Sequence, residues 1–131
     1  MDKEYIAGYF DGEGCIQIEQ DGSLCCRIKS AYNPVLTELQ SQFGGSLQPE
    51  IRTNTHHKQL WLWRIKCNEA EEFLRDIAPL LREKGEQARV AITYQDTRNR
   101  ARGIHSTHER QDEQRKLVAR TRQKLIELKK Q

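Results

Sequence analysis

Apolar positions in this chain follow two alternating rhythms. Over residues 3–12 they keep helical spacing, with Tyr5, Ile6, Tyr9 and Phe10 on one side. From Cys15 the period drops to two: Ile16 and Ile18 alternate with Cys15, Gln17 and Glu19, which predicts a strand. Asp21-Gly22 is a hairpin signal. The return strand is 24–30, with Leu24, Cys26 and Ile28 on one face and Cys25, Arg27 and Lys29 on the other. Asn33-Pro34 predicts a helix start with Asn33 as N-cap. Val35, Leu36, Leu39 and Phe43 keep its period, and Gly44-Gly45 stops it.

A second hairpin then repeats the first. Leu47 and Ile51 face one way; Gln48, Glu50 and Arg52 face the other. Its turn spans 54–58, and its last strand, 59–66, sets Trp61, Trp63 and Ile65 against Leu60, Leu62, Arg64 and Lys66. Asn68 with Glu71 reads as a capping box, Phe73, Leu74 and Ile77 as the buried side of that helix, and Pro79 as its end. A further helical stretch covers 80–97, with Val90, Ile92 and Tyr94 as apolar members. Residues 98–105 form a polar connector. Ser106 and Glu109 open a last helix to about 129, striped by Leu117, Val118, Leu125 and Leu128. Helix, hairpin, helix, hairpin, helices, with no βαβ crossover, predicts an α+β fold on an antiparallel sheet. The expected division is a domain over 1–97 followed by a basic connector and helix over 98–131.

Size and composition agree with one globular unit: 131 residues, 36% hydrophobic and 31% charged. No apolar run reaches the roughly 18 residues of a membrane span, and the N-terminus lacks the regions of a signal peptide. An intracellular, non-secreted protein is expected. Cys15, Cys25, Cys26 and Cys67 form no C-x-x-C pair and no Cys/His zinc spacing, so reduced thiols are expected. The net charge of +3 is unevenly spread. Residues 1–97 carry 11 Lys/Arg against 15 Asp/Glu, whereas residues 98–131 carry 11 against 4. A segment of +7 fits either a polyanion partner or a solvated basic helix.

One stretch resists a purely structural reading. Tyr5 to Ile16 is YIAGYFDGEGCI. A glycine in a helix interior costs about 1 kcal/mol relative to alanine, and Gly8 and Gly12 stand four apart beside Ala7. Small residues at that spacing let another backbone approach closely. Asp11 and Glu13 follow at the end of the helix. On its own, Glu13 reads as an exposed turn acid.

Residues 6–14, IAGYFDGEG, resemble the nine-residue motif of the LAGLIDADG homing endonucleases without a gap. Phe43-Gly44-Gly45 resembles the end of that family's second helix. Trp61-x-Trp63-x-Ile65 resembles its last strand, and the segment from Pro79 to Ala88 the one that carries its basic residue. The likeness covers about residues 4–95 and leaves out the basic tail. It implies an αββαββα fold with a four-stranded antiparallel sheet and extra C-terminal helices.

The resemblance also implies a site. Glu13 takes the place of the family's metal-binding acid, usually Asp, keeping its charge on a longer arm. With the Gly12 carbonyl it would hold Mg²⁺ or another divalent cation such as Mn²⁺, which needs few protein ligands. Lys84 matches the active-site lysine, able to stabilise charge on the phosphorane or organise water; an ordinary surface lysine is its plain alternative. Asp11 ranks second among the catalytic candidates, and Gln87 reads as local packing or hydrogen bonding. A single motif copy implies a homodimer joined through helix one at Ala7, Gly8, Asp11 and Gly12.

The polar sheet face carries Gln17, Glu19, Arg27, Lys29, Gln48, Glu50, Arg52, Arg64 and Lys66, with His56, His57 and Lys58 at a turn tip. Such a face is either solvated or suited to base edges and phosphates of double-stranded DNA. The resulting expectation is a metal-dependent DNA endonuclease cutting both strands of a long near-palindromic site. The rivals are a non-cutting binding module, such as an intron maturase acting on RNA or a DNA-binding regulator, and a small protein-binding domain.

Overall fold

The computed structural model describes residues 1–50, 58–102 and 108–130. Its elements are α1 (Lys3–Glu13), β1 (Gly14–Ile18), β2 (Leu24–Ser30), α2 (Asn33–Phe43), β3 (Ser46–Pro49), β4 (Trp61–Lys66), α3 (Cys67–Ile77), α4 (Gly85–Ala101) and α5 (His108–Lys129). A 3-10 turn, Ala78–Leu80, follows α3 where Pro79 stops it. The four strands form one antiparallel sheet in the order β1-β2-β4-β3. This is the expected α+β architecture.

The period-two alternation sets which sheet face is buried. Register places Gly14, Ile28, Trp63 and Leu47 in one row and Ile16, Cys26 and Ile65 in the next. Ile16, Cys26, Ile28, Trp63 and Ile65 are all at most 1% exposed, and these rows meet the helices. Phe73 of α3 is the hub of that layer. Its ring lies edge-on to Phe10 at 5.3 Å, Phe43 at 4.9 Å and Trp63 at 5.2 Å. Such aromatic pairs add about 0.5–1.5 kcal/mol beyond area burial.

Glycine's backbone freedom matters where α2 ends. Gly44 and Gly45 have φ of +89° and +87°, which turns α2 sharply into β3. The turn also lets Trp63 donate its indole N–H to the Gly44 carbonyl at 2.9 Å.

Three local expectations shift. Asn33 is the first helical residue rather than the cap; Tyr32 is the cap, and Asn33 Oδ1 accepts from the Thr37 hydroxyl at 2.6 Å. The capping box at Asn68 is absent, because α3 begins at Cys67 with Lys66 as its cap. Asn68 Oδ1 instead accepts from the side chains of Gln95 and Asn99 on α4. Finally, α4 starts at Gly85, later than residue 80, and runs to Ala101, past residue 97.

The basic C-terminal helix packs on the domain. α5 lies against β1 and α4. Thr121, Leu125 and Leu128 are buried along its inner edge, and Leu125 joins the main core. No helix among the described residues is long and apolar enough to cross a membrane.

Candidate active site and nucleic-acid interface

The site forms where two helix ends meet. α1 ends at Glu13 with no basic residue in its last turn, so its carbonyls leave partial negative charge there. The segment leading into α4 supplies what is missing. Lys84 donates its ammonium to the Asp11 carbonyl at 2.5 Å. In return, the Asp11 carboxylate accepts the amides of Arg82 at 2.8 Å and Lys84 at 3.0 Å. Asp11 thus clasps residues 82–84 and holds Lys84 against the end of α1. These partners are more than 70 positions apart, and no local pattern announces them.

Glu13, one residue beyond Gly12, is exposed, and its side chain makes no hydrogen bond or ion pair among the described residues. An exposed carboxylate at a negative helix end suits a cation. Among the described residues no three His, Cys, Asp or Glu side chains converge as a metal cage. A hard cation such as Mg²⁺ needs no such cage, since one or two carboxylates with water and phosphate oxygens can hold it. Glu13 and the Gly12 carbonyl are the groups that would hold it.

The face of α1 expected to meet a second copy divides. Gly8 and Gly12 are exposed, and a Cβ added at either would meet nothing within 4 Å. Their small size therefore serves nothing inside this protomer. Ala7 is 1% exposed and lies in the protomer's own core, which leaves it no surface to offer another helix. Asp11, also expected at that contact, is committed to the clasp. Tyr9 donates its hydroxyl to Ser30 Oγ at 3.1 Å, tying α1 to the end of β2.

The outer sheet face has the expected polar rows. Cys15, Arg27, Arg64 and Ser46 share one row; Gln17, Cys25 and Lys66 share the next; Lys29, Leu62 and Gln48 share a third. Lys29 pairs with Glu50 at 2.7 Å and Lys66 with Glu19 at 3.0 Å. The hydrogen bond that Lys66 donates to Glu19 raises the Lys66 pKa. Exposed pairs of this kind contribute about 0–1 kcal/mol, so they open cheaply. Arg27 and Arg64 stand side by side with no ion pair among the described residues. The Arg64 Nε is buried without a hydrogen-bond partner among the described residues. Gln48 and Lys58 are exposed. Arg52, His56 and His57 lie outside the described residues.

In the row of Gln17 and Lys66, Cys25 is fully buried, and that burial pushes its thiol pKa up to about 11. Burial likewise raises Cys26. All four cysteines are free thiols, as expected.

The family can now be stated. A model of the LAGLIDADG-like domain matches residues 1–126. The chain belongs to the LAGLIDADG family. The match continues beyond residue 95, where the likeness was expected to stop, and takes in most of α5. No curated protein matches the chain by sequence. Among solved structures, the chain is similar to the homing endonuclease I-CvuI, bound to a DNA target with magnesium present. That match has TM-score 0.72 and 15% identity over 96% of this chain and 80% of that one. The archaeal intron-encoded homing endonuclease I-Vdi141I, complexed with DNA, gives 0.71 and 16% over 96% and 82%. The homing endonuclease I-TnaI gives 0.60 and 18% over 95% and 98%. These similarities establish a shared fold.

Proposed function

We propose that the chain is a homodimeric homing endonuclease that hydrolyses both strands of a long, near-palindromic DNA site with a divalent metal ion. The observation that carries this reading is the exposed Glu13 carboxylate beside a lysine clasped to the same helix end. Membership of the family and DNA-bound structures of similar fold support it.

Each part of the corner has a task. When bound, the metal polarises the phosphate and makes water a better nucleophile. Glu13 and the Gly12 carbonyl anchor it. Lys84 faces the charge that builds on the phosphorane, where a preplaced ammonium needs no reorganisation. Asp11 holds Lys84 in place through the backbone. The sheet's outer face enters the major groove, which is wide enough for a β-ribbon, and it offers Arg27 and Arg64, neither of which has an ion pair among the described residues. Close approach of two α1 helices at Gly8 and Gly12 brings two Glu13 side chains to one duplex.

The test is a cleavage assay on the uninterrupted DNA flanking the gene, with Mg²⁺ and with EDTA. Double-strand cutting in Mg²⁺ alone is expected. Tight binding without cutting in Mg²⁺ or Mn²⁺ would make the chain a DNA-binding module instead.

A further inference from the structure

A second lysine opens onto the same corner, and it comes from the C-terminal helix. A polar cavity of about 560 Å³ lies between the start of β1 and the facing ends of α4 and α5. Gly14 and Cys15 form one wall, Lys84 and Gln87 another, and Lys129 a third, with Glu83 the acidic side chain on its rim. Leu125 and Leu128 are buried, so α5 is seated firmly where Lys129 emerges.

Three observations say what the cavity takes. The Lys129 ammonium is 3.6 Å from Cys15 Sγ, a weak neutral acceptor. The Lys84 ammonium is held by a neutral backbone carbonyl. Neither lysine has an ion pair among the described residues. Gln87 is 7% exposed and its Oε1 has no hydrogen-bond partner. A buried amide left unpaired is costly, and a water from an entering anion's shell would satisfy it. The α4 N-terminus, which has no side-chain cap, adds partial positive charge. Two ammonium groups, a helix N-terminus and one carboxylate sum to an anion site beside Glu13.

We infer that Lys129 binds a DNA backbone phosphate entering this cavity, so that the C-terminal helix completes the active site. The inference rests on the endonuclease reading above. Losing one charge-assisted contact of this kind slows cleavage by about 10–100-fold.

The experiment uses a duplex that the wild-type protein selects from a random-sequence pool. Free and DNA-bound protein are treated with formaldehyde and cyanoborohydride, and lysine methylation is read by mass spectrometry. Bound DNA is expected to protect Lys84 and Lys129 and to leave Lys130 reactive. In Mg²⁺ and under single turnover, Lys129→Met is expected to cut at least tenfold more slowly (about 1.4 kcal/mol). Lys129→Arg restores most of the rate, and Lys130→Met changes nothing. Equal Lys129 labelling in free and bound protein, or cutting by Lys129→Met within twofold of wild type, overturns the inference. A wild-type protein that binds the duplex but never cuts it defeats the endonuclease reading instead, while the labelling still decides whether Lys129 touches phosphate.

Discussion

Removing the Asp11 carboxylate should loosen the corner around Lys84 without touching Glu13, the proposed metal ligand. Asp11→Ala deletes two hydrogen bonds to backbone amides, at 2.8 Å and 3.0 Å. Hydrogen bonds to charged groups contribute about 1.5–3 kcal/mol each. One of these two is exposed and the other half-buried, so the low end applies and the pair sums to about 2–3 kcal/mol. Asp11→Asn keeps one acceptor and costs about half that. Urea unfolding followed by tryptophan fluorescence reads the effect, since Trp63 is fully buried. A slope of about 2 kcal/mol/M is ordinary for a small domain, so the alanine midpoint should fall by about 1–1.5 M with the slope unchanged. Cleavage should fall with it, because Lys84 loses its backbone anchor. Adding Lys84→Met to Asp11→Ala should then cost little further activity. An Asp11→Ala protein of wild-type stability that nonetheless loses cleavage independently of Lys84 would refute the clasp and return Asp11 to the chemistry.

Other outcomes follow from the packing and the thiols. Phe73→Ala removes the ring on which Phe10, Phe43 and Trp63 converge; a loss of about 3–5 kcal/mol is expected by urea unfolding. Gly8→Ala meets open space inside the protomer, so it should raise monomer stability by up to about 1 kcal/mol while weakening the dimer in sedimentation at micromolar protein. With Ellman's reagent at neutral pH, half-buried Cys15 and Cys67 should react in the native state, and buried Cys25 and Cys26 only on unfolding. Folding raises the Cys25 pKa from 9.0 to about 11. The unfolded chain therefore releases that proton first, and stability is lost as pH rises from about 9 toward 11. Tyr94, raised by burial, acts in the same direction. A Cys25→Ala variant should show a shallower alkaline loss, worth at most roughly 2–3 kcal/mol.

Much of the fold was legible because it is written in short-range periodicity. Strand faces at Ile16, Ile28 and Ile65, the Asp21-Gly22 turn and the Gly44-Gly45 stop each depend on neighbours in sequence. Alternation on one buried face also fixes register, which is why the outer rows of Gln17, Arg27 and Arg64 could be anticipated. Expectations shifted where distant residues compete for a local group. Asn68 looked like a cap, but Gln95 and Asn99 of α4 claim its oxygen, and α3 opens at Cys67 with φ +53°. Val90 and Ile92, read as apolar members of that helix, pack against the core partly buried, while Ala88, Ala91, Tyr94 and Gln95 are the buried residues of that part of α4. Helices packed closely on both sides favour small side chains there.

The site divides the same way. Glu13, Gly12 and Lys84 could be proposed from the motif alone, and Gly8 and Gly12 are exposed on α1, where a second copy is proposed to meet it. Ala7 was grouped with those glycines by size alone, although helical phase turns it inward. The clasp of Asp11 depends on amides more than 70 residues away, and the role inferred for Lys129 rests on its approach to Cys15, 114 residues away. No window of sequence joins them.

The central claim is that Glu13 holds the metal ion for hydrolysis. Glu13→Gln keeps the shape of the side chain and removes its charge, and Glu13 is exposed, so the fold should be unaffected. In Mg²⁺ the variant should bind the target duplex as wild type does and cut neither strand. Cutting at the wild-type rate in Mg²⁺ would contradict the account.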